Sequence, residues 1–290
     1  MTKTDTSSPR FDLGGVSISI VSGGRLKLDG GAMFGIIPKP LWSRRIGVDD
    51  QNRIQLACNC VLIEWDGPGA RKTLIETGHG AKFAQKEQEI FAIDSANWLL
   101  PSLVARGIDA AQIDDVILSH LHFDHAGGLT HYIGDELTRT FPKAAVHAQR
   151  REFDDARRNF GIMKITYREE NYTPIDNADA WRLHDGEGEL VPGVSAARTA
   201  GHTHGHQSLI IRGRDRAAVF LGDVMPTRHH LGAPYNMGYD LLPIDNRDSK
   251  SRMLRQAAEQ DALIIIDHEP DHPVCRVARD GDWYSLQPAE

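Results

Sequence analysis

Three imidazoles and a carboxylate fall within six consecutive positions of the stretch Ser119-His120-Leu121-His122-Phe123-Asp124-His125-Ala126-Gly127-Gly128. Nitrogen and oxygen donors at that density are metal-binding chemistry, and their mixture suits Zn²⁺ and its borderline neighbours. Histidines at i and i+2 on an extended loop converge on one ion. Asp124 and His125 then point elsewhere and offer donors to a second. A lone histidine would be read as a packed or surface residue, but the spacing H-x-H-x-D-H is read as a site. Residues 115–118 form a short apolar strand that delivers this loop at its C-terminal end, and a helix is expected from about Ala126.

The pattern resembles the metallo-β-lactamase superfamily, whose signature is H-x-H-x-D-H followed by a distant His, a bridging Asp and a last His. Three later segments carry the same resemblance. Thr199-Ala200-Gly201-His202-Thr203-His204-Gly205-His206 is similar to its G-H-T-x-G-H segment. Phe220-Leu221-Gly222-Asp223 is similar to its strand-ending G-D, and Ile264-Ile265-Ile266-Asp267-His268 to the apolar run that ends in its last ligand. The resemblance spans residues 16–285 and implies an α/β (α+β) fold, a four-layer αββα sandwich with metals on the rim between its sheets. It also implies the ligand set. His120, His122 and His202 hold one ion, Asp124, His125 and His268 the other, and Asp223 bridges. Two Zn²⁺ are the expected cofactors, with other divalent transition metals compatible. Glu76-Thr77-Gly78 stands where the family usually carries Asp-Thr-Gly, which keeps the charge but lengthens the arm.

The 290 residues carry a formal net charge of −7, with a pI near 6.0. That balance lacks the basic face a nucleic-acid partner requires. Cys58, Cys60 and Cys275 cannot form a disulfide framework and are read as reduced and packed. The first ten residues lack an apolar signal segment, and no run approaches the roughly 20 apolar residues of a membrane span. A cytoplasmic protein without a membrane partner is expected, which weighs against an exported antibiotic-degrading enzyme.

Residues 1–12 are expected to be a flexible tail and 13–290 a single domain. Strands are expected at 16–21 and 25–28, turned by Gly23-Gly24, and at 58–65 and 72–76, joined by a turn at Asp66-Gly67-Pro68-Gly69. Residues 29–42 are apolar, punctuated by glycine and broken by two prolines, so neither a helix nor a central strand accommodates them. They are either a core-packing connection or a flap over the metal cleft that presents Met33, Phe34 and Trp42 to substrate. Residues 160–193 resist assignment and are the expected opposite wall. Residues 227–240, beginning four positions after Asp223, form a long loop containing His229, His230, Tyr235, Met237 and Tyr239. Long loops beside metals are usually functional. A helix is expected at 248–260.

Each ligand set leaves an open position, the mark of a catalytic site. The resemblance implies a hydroxide bridging the ions, which lower the pKa of water from about 15.7 towards 7. Asp124 is the residue expected to protonate the leaving group. Related acyl-homoserine lactonases place a Tyr three residues after the bridging Asp, where this chain has Pro226. Tyr235, then His229, are therefore the expected oxyanion donors. The function expected is a dinuclear zinc-dependent hydrolase opening small carboxylic esters, acyl-homoserine lactones first. A glyoxalase II-like thioesterase, a phosphotriesterase and a mononuclear iron persulfide dioxygenase are the alternatives. The expected partner is a small ester or lactone, with a homodimer left open.

Overall fold

The computed structural model describes residues 9–67, 70–281 and 283–289. Among them, two sheets of seven strands each follow the chain in order. The first runs Arg10–Asp12, Val16–Asp29, Arg53–Trp65, Lys72–Ile75, Asp115–Ile117, Ala145–Gln149 and Trp181–His184. The second runs Gly188–Val191, Val194–Arg198, Gln207–Arg212, Ala217–Phe220, Leu263–Ile265, Val274–Asp280 and Trp283–Pro288. The side-chain alternation of a strand decides what each face packs against. Val61 and Ile63 join Ile18, Ile75 and Ile117 against Leu209, Ile211, Phe220 and Ile265 of the other sheet. Cys60 and Leu62 point the other way, towards Leu99 and Leu103 of the helix Leu99–Val104. On the second sheet Ile210, Val219 and Ile264 face outward onto Met253, Leu254 and Ala257 of the helix Pro243–Glu259. Helix, sheet, sheet and helix therefore make four layers. Each fully buried Leu, Ile or Phe contributes roughly 1.5–3 kcal/mol, so these faces hold the sandwich together.

Parallel pairing joins Lys72–Ile75, Asp115–Ile117, Ala145–Gln149 and Trp181–His184 in one half of the first sheet, and Ala217–Phe220 with Leu263–Ile265 in the middle of the second. Parallel neighbours end on the same rim, which is where open sheets of this kind place ligands. The chain leaves these strands at Glu76, Leu118, Leu221 and Ile266, and the last three lead directly into His120–His125, Asp223 and His268.

Several expectations change on folding. Arg10–Asp12 is not tail but a strand paired with Ser17–Ser19, anchored by buried Phe11; residues 1–8 of the expected tail, like Pro68 and Gly69 of the expected turn, lie outside the described residues. Gly23-Gly24 is not a turn. Val16–Asp29 is one continuous strand that shifts register between Ser22 and Arg25. A Cβ on Gly24, at φ +111°, would lie 1.9 Å from His79 Nε2, so the bulge exists to let His79 in. The apolar stretch after it forms two short helices, Gly30–Phe34 and Lys39–Trp42. Asp29 caps the first by accepting the Ala32 N–H at 2.8 Å, and Pro40 stands in the first turn of the second, where no backbone donor is needed. No helix among the described residues is long and apolar enough to cross a membrane.

Candidate metal centre

The loop after Asp115–Ile117 is fastened from three sides before any ion is considered. Glu76, buried and at φ 64°, turns its carboxylate back so that Oε1 accepts the Ser119 N–H at 2.8 Å. A non-glycine residue in that region costs about 1–2 kcal/mol, which the buried hydrogen bond offsets. Thr77 donates both its N–H and its hydroxyl to the His125 carbonyl, at 2.8 and 2.7 Å. Close approach here requires Gly127, because a Cβ would sit 2.2 Å from His79 O. From the opposite side Glu152 Oε1 accepts the Leu121 N–H, between the two histidines, at 3.0 Å, and Oε2 accepts the Thr203 hydroxyl at 2.6 Å. One buried carboxylate thus ties the His120–His122 loop to the segment carrying His202.

These constraints bring seven side chains together. His122 Nδ1 lies 3.0 Å from His202 Nε2, and Asp223 Oδ2 lies 3.2 Å from His202 Nε2 and 3.9 Å from His120 Nε2. On the other side of Asp223, Oδ1 lies 3.2 Å from His268 Nε2 and 3.7 Å from His125 Nε2. Asp124 closes that second group, with Oδ1 3.8 Å from His125 Nε2 and Oδ2 3.7 Å from His268 Nε2. Asp124 and His125 occupy the first turn of the helix Phe123–Ala126, which begins earlier than expected. Asp267 also lies within 4.8 Å of His125, Asp223 and His268. Its Oδ2 sits 3.0 Å from His125 Nδ1, the far nitrogen, so it orients that ring rather than joining the inner group.

The donors fit a pair of cations. His120 Nε2, His125 Nε2 and Asp223 Oδ1 are buried without a hydrogen-bond partner among the described residues, an arrangement that is costly unless something positive stands between them. Three of the far nitrogens are already used: His202 Nδ1 donates to Asp240 Oδ1 at 3.0 Å and His268 Nδ1 to Ala57 O at 2.7 Å, while His120 Nδ1 meets Ser119 Oγ at 2.9 Å. That fixes the tautomers of His202 and His268 with Nε2 lone pairs facing the centre. Burial and the crowd of imidazoles hold His120 and His122 well below the usual histidine range. Burial would raise Asp223, but His268, His202 and His125 hold it well below the carboxylate range. His206 is not in the group. Its Nε2 accepts the Asp223 N–H at 3.0 Å, and burial pushes its pKa down to about 3, so it positions the bridging residue as a neutral ring.

An apolar cavity opens over the donors. His122, Asp124, His202, Asp223 and His268 form its polar floor. Met33, Phe123, Met237 and Leu241 stand in its walls, and Ile162 and Met163, 59% and 50% exposed, make a lip. Gly161, Ile162, Met163, Ile165 and Thr166 of the unassigned 160–193 region line the cavity, and the rest of that region does not. Of the expected substrate residues, Met33 lines the cavity but Phe34 and Trp42 do not. Phe34 is sandwiched between Trp42 and His230, with ring centroids at 5.1 and 4.7 Å, in the packing behind the wall. Neither expected oxyanion donor faces the cavity. Tyr235 packs edge-on to Phe34 beneath Arg45, and His229 lies among Arg228, Arg45 and Asp271. Met237 and Tyr239 are the residues of the 227–240 loop that line the cavity, and of its polar side chains only Tyr239 does so. Pro226 lends its carbonyl to the His268 N–H at 2.9 Å. Glu152, Asp240 and Asp267 were missed because each is distant in sequence from the ring or loop it holds, and an isolated acidic residue carries no spacing signal.

Known proteins are similar to this chain in fold and in sequence. A structure of a probable metal-dependent hydrolase from Staphylococcus aureus superposes with a TM-score of 0.85 at 29% identity, covering 97% of this chain and 100% of that one. The dizinc quorum-quenching lactonase AidC, in complex with its product N-hexanoyl-L-homoserine, superposes with a TM-score of 0.80 at 17% identity over 98% of each chain, a likeness of fold. In sequence, the N-acyl homoserine lactonase AttM of Rhizobium radiobacter is 27% identical over 192 residues, a match spanning 62% of this chain and 66% of that enzyme. The family model of the metallo-beta-lactamase superfamily matches residues 53–268, from the third strand of the first sheet to the last of the converging histidines. The chain belongs to the metallo-beta-lactamase superfamily.

Proposed function

We propose that this protein is a dinuclear zinc-dependent hydrolase of small carboxylic esters that prefers lactones bearing an apolar acyl chain, N-acyl homoserine lactones among them. The observation that carries this reading is the junction of two donor groups, with Asp223 3.2 Å from a histidine of each, and an apolar cavity. The lactonase relatives support the same substrate class. His120, His122 and His202 would hold one ion, Asp124, His125 and His268 the other, with Asp223 between them. When bound, the ions supply an activated water and polarise the ester carbonyl, so no Ser or Cys nucleophile is needed.

The side chains do the rest. Asp124, which lines the cavity, would take up the proton released by the attacking water on a carboxylate oxygen and pass it to the departing alkoxide. Met33, Met237 and Leu241 exclude water and accept the acyl chain. Tyr239 is the donor for the ester oxygen. Burial, with Asp29 and Asp124 nearby, pushes its pKa up to about 12, which keeps the phenol protonated at neutral pH. Tyr239→Phe is expected to lower kcat about 10²–10³-fold with metal content retained, while Tyr235→Phe and His229→Ala stay near wild type. Steady-state kinetics on one lactone decide this, and an unchanged kcat in Tyr239→Phe removes the assignment. The substrate class is tested by assaying acyl lactones beside linear esters, thioesters and phosphotriesters. Lactone turnover lower than that of any other class would overturn it.

A further inference from the structure

One buried charge stands outside the metal centre and has no part in the chemistry above. Lys250, in the middle of the helix Pro243–Glu259, is 1% exposed. Its Nζ donates to three carbonyls of a single loop, His230 O at 2.9 Å, Gly232 O at 3.0 Å and Tyr235 O at 2.8 Å. All three ammonium protons are thereby used. Burial pushes its pKa down to about 8, against the attraction of Asp240, so the charge is held there at a cost that an apolar side chain of the same length would not incur. What lysine provides is a single partner for three carbonyls of one loop, two of which, His230 O and Tyr235 O, have no other donor among the described residues, while Gly232 O also accepts the Tyr235 N–H at 3.0 Å.

The loop so held is the one that builds a cavity wall. Between Thr227 and Leu242 its regular structure is a single turn, Arg228–His230, so side chains must fix its course. His230 Nε2 donates to Met33 O at 2.8 Å, and the Gly238 N–H donates to Ala32 O at 2.7 Å. Asp240 fastens the far end through Oδ1 on His202 and Oδ2 on the Met237 N–H at 3.0 Å. Lys250 grips the near half, and Met237, Tyr239 and Leu241 follow it into the cavity.

We infer that Lys250 is a positioning residue for substrate selection: by holding the carbonyls of residues 230–235 it sets the wall formed by Met33, Met237, Tyr239 and Leu241. The inference rests on the reading of this cavity as the acyl-lactone site. Lys250 hydrogen-bonds none of the seven donors, so its loss separates wall from metal. In Lys250→Met, KM for a long-chain acyl lactone should rise about tenfold or more and the preference for long over short chains should shrink, while kcat falls by less than in Tyr239→Phe because the phenol is displaced rather than removed. Metal content should stay at the wild-type value. Hydrogen exchange should quicken at the amides of 230–241 and remain unchanged at 117–125. Lys250→Gln, which keeps two donors on a shorter arm, should show the same changes in smaller measure and carries the test if Lys250→Met does not fold. Wild-type KM, chain-length preference and exchange in the folded variant would overturn the inference, as would a fall in kcat that tracks lost metal. The exchange measurement needs no substrate. A wild-type protein that opens no lactone would therefore defeat the functional reading, while exchange still decides whether Lys250 holds the loop.

Discussion

Asp223→Ala is expected to abolish measurable ester hydrolysis and to lower metal content at both positions at once. Its two oxygens face different groups, Oδ2 towards His202 and Oδ1 towards His268, each at 3.2 Å. Removing it takes a negative charge from between two clusters of imidazoles, and each then binds a cation less tightly. The loss should equal or exceed the roughly 10²–10³-fold that removal of a single transition-state donor costs. His268→Ala is the contrast, because it touches only the group containing Asp124 and His125. That variant should retain one ion per chain. Elemental analysis of both variants beside the rate assay checks the pair, and equal metal retention in Asp223→Ala would remove it as the shared ligand.

Glu152→Ala should have the largest effect on stability of any substitution away from the donors. Its carboxylate accepts from the Leu121 N–H, the Thr203 hydroxyl and the Tyr167 hydroxyl, all buried. Alanine leaves those donors without a partner, at about 1–3 kcal/mol each before water enters, so a net loss near 3 kcal/mol is expected. Affinity for the first ion should fall about 10–100-fold, as it does when a residue supporting a ligand is lost. Tyr167 packs edge-on to His122 at 4.9 Å, and the Phe123 N–H donates to Thr166 O at 2.9 Å, so the lip of the cavity loosens with the metal loop. Urea denaturation and metal titration measure the two effects. Wild-type stability would show that Thr203 and Leu121 find other partners.

Contiguity decided what could be read from the sequence. His120, His122, Asp124 and His125 announce themselves because four donors share one loop, and His202, Asp223 and His268 because each follows an apolar strand in a known order. Buried strands are legible for the same reason, as the largely apolar runs at 58–65 and before His268 show, while the four layers follow from the family resemblance. Residues whose role depends on approach in space were not. Lys250 reads as one more charge on an amphipathic helix until three carbonyls are seen around it. Gly23-Gly24 carries a turn signal, and only the intrusion of His79 makes it a bulge. Along 227–240 there is no periodicity to say which side chains face inward, so Tyr235 and His229 were preferred and Tyr239 was the one turned to the cavity. Two prolines argued against helix at 30–42, yet Pro38 precedes the second helix and Pro40 stands in its first turn, the places that tolerate proline.

The most direct test of a two-metal lactone hydrolase is the rate of ring opening of an N-acyl homoserine lactone, measured on protein whose metal content is determined in the same sample. The expected result is two ions per chain, conversion to the acyl-homoserine acid, loss of that rate on chelation and its return with Zn²⁺. A protein that carries two ions per chain and leaves the lactone intact, while turning over a thioester or a phosphotriester, would contradict it.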